Sequence, residues 1–284
     1  MPQKTLFFVH VPKAAGSTMQ FVLDWKHPAW KTFNITGPYD INRFKHLPDR
    51  RRNGKLLVKG HFPYGLHEWI DGPATYFTVL RHPVDRIKSH YYWSKGRARH
   101  YLHSTIHREN LSLEQYVTTG ISTEMNNGHL RLILGIDTDL PFGECSESML
   151  DEAKAIIEKD FPVVGIAEQF DETLILLQEI MGWKTPPYYL IKNTNTKRPV
   201  TSRAGNESSE AILKFNRLDM ELYQWASQRL EAQIAGRGQT FQGKLHQFRE
   251  ANARFQKWGA APNIALKIKR RLKIPYNWDE LTRF

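Results

Sequence analysis

The chain has 284 residues, 40 Lys+Arg against 29 Asp+Glu, a formal net charge of +11 and 40% apolar residues. That length and apolar content suit one α/β domain with helical additions, and the charge points to anionic partners rather than to a fold. One cysteine, Cys145, excludes an intrachain disulfide framework, and no zinc-finger spacing or basic–aromatic RNA signature is present.

The predicted elements begin with an apolar strand over 4–11, followed by His10-Val11-Pro12-Lys13-Ala14-Ala15-Gly16-Ser17-Thr18 and a helix over 16–26. Strand, tight loop and helix form the geometry of an anion-binding loop, in which helix N–H groups and the helix dipole face the anion. Laid on the Walker A pattern, Val11 stands for the first glycine and Ser17 for the lysine, while Gly16 and Thr18 match. The lysine has moved to position 13. That suggests chemistry on a phosphate-like group other than NTP hydrolysis.

Residues 26–54, rich in Pro, Asn and Arg, read as an insertion or loop. A strand over 55–60 ends in Gly60-His61, and a strand over 75–80 ends in Arg81-His82-Pro83-Val84-Asp85-Arg86-Ile87-Lys88-Ser89. Pro83 suits a helix start, predicting a helix over 84–95 with Arg86 and Ser89 on one face. Arg81, Arg86 and Ser89 make a second anion site; Arg86 is equally suited to a structural pair with Asp85 or a carboxylate across the sheet. Helices follow over 112–119, 125–134, 147–159, 168–181 and 208–234, and strands over 161–167 and 187–192. Short apolar strands alternating with amphipathic helices predict a parallel sheet with helices on both faces and ligands at the strands' carboxyl ends.

With both motifs in place, the chain resembles the sulfotransferases that use 3′-phosphoadenosine 5′-phosphosulfate (PAPS), most closely the branch of the heparan sulfate 2-O- and 6-O-sulfotransferases and their bacterial relatives. Pro12 to Thr18 matches that family's 5′-phosphosulfate loop, Arg81 to Ser89 its 3′-phosphate segment, and Gly60-His61 the place of its catalytic histidine. Weaker echoes are Val164 to Phe170 and Asn193 to Pro199. The resemblance implies an α/β, P-loop-like parallel sheet with additional C-terminal helices over 1–240, and a basic helical extension over 241–284. It implies PAPS as cosubstrate, without a metal. Lys13, Ala14, Ala15, Gly16, Ser17, Thr18, Arg81 and Ser89 would bind it, with Lys197 and Arg198 closing over its 3′ end. Lys13 would neutralise the leaving phosphate, and His61 would take the acceptor's proton; His67, His82 and His90 are weaker contenders. Gly60 would permit close packing against the nucleotide.

Phe62, Tyr64 and Trp69 are candidates for the acceptor cleft, core packing being the equal alternative. Asn127 and Arg131 are candidate acceptor contacts. His100, His103 and His107 have helical spacing, but acceptor recognition or a plain surface fits them better than zinc. The basic stretch Arg97, Arg99 and Arg108 suggests an anionic acceptor. The first strand near Lys4 leaves no room for a leader or anchor, so a bacterial-type cytoplasmic protein is expected, a Golgi enzyme only if an anchor had been removed. A nucleotide kinase or NTPase, and a non-catalytic module for acidic glycans, are the alternatives. Ser17 argues against the first, and the second gives no reason for Lys13 and His61 at strand ends.

Overall fold

A computed structural model describes residues 4–136, 138–191 and 206–257. Its described residues hold five parallel strands in the order β2-β3-β1-β4-β5. In chain order they are β1 (Thr5–Val9), β2 (Thr32–Ile35), β3 (Leu57–Gly60), β4 (Ala74–Leu80) and β5 (Val163–Ile166). The helices are α1 (Gly16–Lys26), α2 (Pro38–Lys45), α3 (Asp49–Arg52), α4 (Pro83–Lys95), α5 (His103–Arg108), α6 (Leu113–Thr118), α7 (Gly128–Leu134), α8 (Glu147–Asp160), α9 (Phe170–Ile180), α10 (Asn206–Phe215), α11 (Arg217–Ala235) and α12 (Gly238–Gln256). This is the expected α/β architecture.

β1 lies at the centre, in register with β3 through Phe7↔Val58 and with β4 through Phe7↔Tyr76. All five residues of β1 are buried, as a strand covered on both faces requires. The alternation of side chains divides the faces. Phe7 packs on Phe44 of α2, Phe62 and Tyr76. Phe8 stacks on Phe77 and, with its register partner Lys59, belongs to the α1 face. There Lys59 Nζ meets Asp24 Oδ1 of α1 at 2.8 Å.

Three expected elements differ. Residues 26–54 contain β2, which pairs with β3 through Phe33↔Val58, and the helices α2 and α3. The flanking Pro28, Gly37 and Pro38 mask a four-residue strand. No strand forms at the described residues of 187–192. Instead Tyr189 N donates to Asn252 Oδ1, Ile191 N to Gln256 Oε1, and Gln256 Nε2 to Tyr189 O. Side chains of α12 thus satisfy the backbone groups that a sheet neighbour would otherwise pair. The helix expected over 208–234 is broken at Asn216. Its Nδ2 donates to Met125 O and Ile212 O, while its Oδ1 accepts from Asn127 N. A side chain that competes for backbone partners favours such a break. In α12, Phe241, Leu245 and Phe248 join the main core.

Candidate active site

Lys13 and Ala15 take the left-handed conformation, with φ of 69° and 57°. Each such turn costs a non-glycine residue about 1 kcal/mol, so the surroundings impose the curl. His10 N donates to Gly60 O, anchoring the start of the loop. α1 begins with no side-chain cap and no acidic residue in its first turn, which favours an anion there. Ala14 and Gly16 are buried, Ser17 is exposed, and Thr18 is half-buried. Lys13 Nζ lies 4.8 Å from the centre of the Trp93 ring on α4. Arg81, at the end of β4, donates to Lys13 O at 3.1 Å. The two expected anion sites are therefore physically joined. Ser89 lies half-buried on α4.

Two glycines have steric roles. A Cβ on Gly16 would sit 1.5 Å from His10 Nε2, so the glycine makes room for an imidazole. Gly60 has φ of 137°, and a Cβ there would sit 1.8 Å from Ile35 O. Its bareness serves the close approach of β2. The same approach lets His61 N donate to Ile35 O.

His61 stacks on His10, with ring centres 4.3 Å apart. Its Nδ1 is 3.1 Å from His10 O. A carbonyl only accepts, so Nδ1 carries the proton and Nε2 keeps a free lone pair. His61 is open to solvent on one side, yet its protein surroundings lower its pKa by desolvation; the His10 carbonyl and Glu124 pull upward, and His90 pulls down. Burial, then His61, Lys59 and Lys13, hold the His10 pKa well below the ordinary value. His10 Nδ1 lies 3.1 Å from Gln20 Nε2, an amide donor, so its own proton sits on Nε2. Beneath this pair, burial lowers the Lys59 ammonium to about 7. Asp24 at 2.8 Å opposes that shift, and the short contact argues for a charged pair at neutral pH.

A second group of side chains comes from elements the motifs did not join. His90 Nε2 lies 2.8 Å from Glu124 Oε2. His90 Nδ1 meets Tyr116 Oη at 2.7 Å and Ser94 Oγ at 3.2 Å. His100 packs edge-on against His90 and Trp93, and burial lowers its pKa first, with His90 adding to the shift. Arg97 lies over Trp93 from the other end of the same turn of chain. No sequence motif signals Glu124, because tertiary folding alone carries it to α4. His10 was legible in principle as the third of a same-face series with Leu6 and Phe8.

Several expected site residues have structural duties. Arg86 is 1% exposed and pairs with Asp219 of α11, settling its alternatives for a carboxylate beyond the sheet. It also donates to Glu124 O at 2.9 Å. Asp219 further accepts from His129 N and Leu130 N, and Asn127 Oδ1 accepts from Asp219 N. Arg131 is spent on Asn126 O, Leu140 O and Pro141 O. Phe62 packs on Phe7 in the core, and Tyr64 donates to Asp160. The four acceptor-contact candidates Phe62, Tyr64, Asn127 and Arg131 are thus committed to packing and buried networks. Trp69 is exposed under Lys45. His67 meets Tyr76 Oη, and His82 N donates to Glu168. His103 and His107 bond to Ser94 O and Lys95 O at the end of α4. Lys197 and Arg198 lie outside the described residues.

Parallel sheet, flanking helices and the loop after β1 together make an α/β sulfotransferase-like fold. The chain belongs to the galactose-3-O-sulfotransferase family, whose model matches residues 61–275. That match begins at His61, so the loop with Lys13 lies outside it. Galactose-3-O-sulfotransferase 2 of the pig, Sus scrofa, is 28% identical over 203 residues, covering 65% of this chain and 48% of the relative. Galactosylceramide sulfotransferase of cattle, Bos taurus, is 25% identical over 239 residues, covering 78% and 56%. The human galactose-3-O-sulfotransferase 2 is 26% identical over 168 residues, covering 56% and 40%. The chain spans about half the length of the curated relatives it matches. A sulfotransferase family is supported, whereas the heparan sulfate branch is not the one matched. The expected bacterial cytoplasmic location is corrected: the galactose-3-O-sulfotransferase relatives point to the Golgi.

Proposed function

We propose that this chain transfers a sulfuryl group from PAPS to a hydroxyl of a carbohydrate or glycolipid, a galactose-bearing acceptor being favoured by the names of the relatives. The observation that carries the reading is the tautomer of His61. Its Nδ1–H is held by the His10 carbonyl, and Nε2 is left as a base at the carboxyl end of β3.

The acceptor oxygen attacks sulfur in line with the bridging oxygen of the 5′-phosphate. A new S–O bond forms, the bridging S–O bond breaks, and its electron pair leaves with 3′-phosphoadenosine 5′-phosphate (PAP). His61 Nε2 takes the hydroxyl proton, for which a depressed pKa keeps the imidazole neutral near pH 7. Lys13 counters the charge that grows on the leaving oxygen, and the N–H groups opening α1 hold the 5′-phosphate. Arg81 and Ser89 hold the 3′-phosphate; the Lys13 carbonyl ties Arg81 to the loop.

The test is incubation with PAPS and a panel of galactose-terminated glycans and glycolipids, read by mass. A gain of one sulfate on a galactose-bearing acceptor is the expected result. No gain on any member, with PAP raising the melting temperature no more than adenosine 5′-phosphate, would overturn the reading.

A further inference from the structure

We propose that Trp93 is a positioning residue that acts through Lys13: the face of its ring holds the Lys13 ammonium in place for the leaving 5′-phosphate. This rests on the reading of Lys13 as the group that counters the leaving charge.

The contact joins two separate elements. Lys13 belongs to the loop between β1 and α1, and Trp93 to α4. Lys13 Nζ lies over the ring, 4.8 Å from its centre. An aromatic ring is negative on its face, so an ammonium within about 6 Å of the centre is attracted to it, most strongly by tryptophan. The other end of Lys13 is tied to the same part of the fold. Its carbonyl accepts from Arg81, 3.1 Å away at the end of β4. Both ends of Lys13 therefore take their register from β4 and α4. A lysine side chain is long and flexible, and a charge that must meet one developing oxygen gains from being placed beforehand.

The ring is itself held. His100 packs edge-on against it, with ring centres 4.8 Å apart and planes at 76°. His90, three residues earlier on α4, lies 6.3 Å from it and is anchored by Tyr116 Oη at 2.7 Å. Arg97 places a second cation 5.4 Å from the ring centre. Trp93 keeps 37% of its exposure and joins none of the buried clusters among the described residues. Core packing therefore does not account for so large a side chain at this position. Ser89 lies four residues earlier, so one face of α4 carries both the ring and the 3′-phosphate candidate.

The experiment measures kcat and acceptor KM, with PAPS and a galactose-terminated acceptor, for Trp93→Leu and Trp93→Phe in the wild type, and for Trp93→Leu in Lys13→Ala. Trp93→Leu is expected to lower kcat about tenfold and to leave the acceptor KM within about twofold. Trp93→Phe, which keeps a ring, should recover most of that loss. Trp93→Leu added to Lys13→Ala should change kcat by less than about twofold, because the partner is already gone. In NMR spectra of protein with isotope-labelled lysine, the Lys13 ε-methylene, assigned by its loss in Lys13→Ala, should be shifted upfield by the ring and should return to the ordinary lysine position in Trp93→Leu. A loss of kcat that persists in the Lys13→Ala background, or a change that falls on KM instead, overturns the proposal and gives the ring to the acceptor. If Trp93→Leu does not fold, the wild-type signal decides: an ordinary position for Lys13 overturns the proposal. Unchanged kcat in Trp93→Leu with an impaired Lys13→Ala overturns the proposal alone. Normal turnover in Lys13→Ala removes the reading of Lys13 and the proposal with it.

Discussion

At the residue scale, the proposed mechanism divides the labour between Lys13 on the donor and His61 on the acceptor. Lys13→Ala should cut kcat by about 10²- to 10³-fold and weaken PAP. His61→Ala should cut kcat by about 10²- to 10⁴-fold and leave PAP affinity near wild type. Isothermal titration with PAP beside turnover checks both; equal PAP weakening in the two variants would dissolve the division. Gly60→Ala combines a left-handed backbone with a Cβ 1.8 Å from Ile35 O. It should cost about 2–4 kcal/mol in denaturant unfolding. Motif spacing made Lys13, Arg81 and His61 legible in the sequence. It could not reveal what Gly16 and Gly60 make room for, because His10 and Ile35 approach them only in the folded chain.

At the element scale, the pair Lys59–Asp24 ties β3 to α1, the two elements that present His61 and the anion loop. Lys59→Met alone should cost about 3 kcal/mol, since it strands a carboxylate that is only 10% exposed. Lys59→Met with Asp24→Leu should recover most of that loss. A double variant no more stable than the single one would show that the pair contributes more than its own desolvation cost. Helices with clear ends, such as α1 and α8, were readable from periodicity and flanking residues. β2 was not, because four residues between turn formers carry too little pattern. The strand expected over 187–192 had the apolar pattern of a strand, and at its described residues Tyr189 and Ile191 the side chains of Asn252 and Gln256 took the backbone instead.

At the scale of the whole molecule, buried neutral histidines set the acid limit of stability. Burial lowers the His129 pKa to about 4; Asp219, 3.5 Å away, opposes this. Asp219 already answers Arg86 and two backbone N–H groups, so the depressed value fits its surroundings. The unfolded chain takes up a proton on this histidine near pH 6.5 and the folded chain only near pH 4. Stability is therefore complete above 6.5 and falls as the pH drops between those values, by about 3 kcal/mol for His129. His10 and His61, also depressed, add to the same slope. Urea unfolding at pH 7.5, 6 and 5 should show steadily lower midpoints, and His129→Gln should flatten the trend. The net charge acts over longer range. Arg97, Arg99 and Arg108 are all exposed, and such charges are screened beyond about 10 Å at 0.1 M salt. Salt should raise the acceptor KM before it lowers kcat, and neutralising the three arginines should mimic it. A KM indifferent to both would assign the charge to the donor or to solubility. The sign of that charge was readable from composition; the placement of Arg97 over Trp93, the ring that Lys13 also faces, needed the fold.

The hydrogen bond from Arg81 to the carbonyl of Lys13 makes one lever of two handles. A molecule gripping only the loop would stiffen the carbonyl that steadies the arginine, and one gripping only the arginine would steady the loop. Adenosine 3′-phosphate and inorganic sulfate, offered as separate pieces, should then bind together more tightly than each does alone. The whole cosubstrate would gain that mutual support in a single molecule.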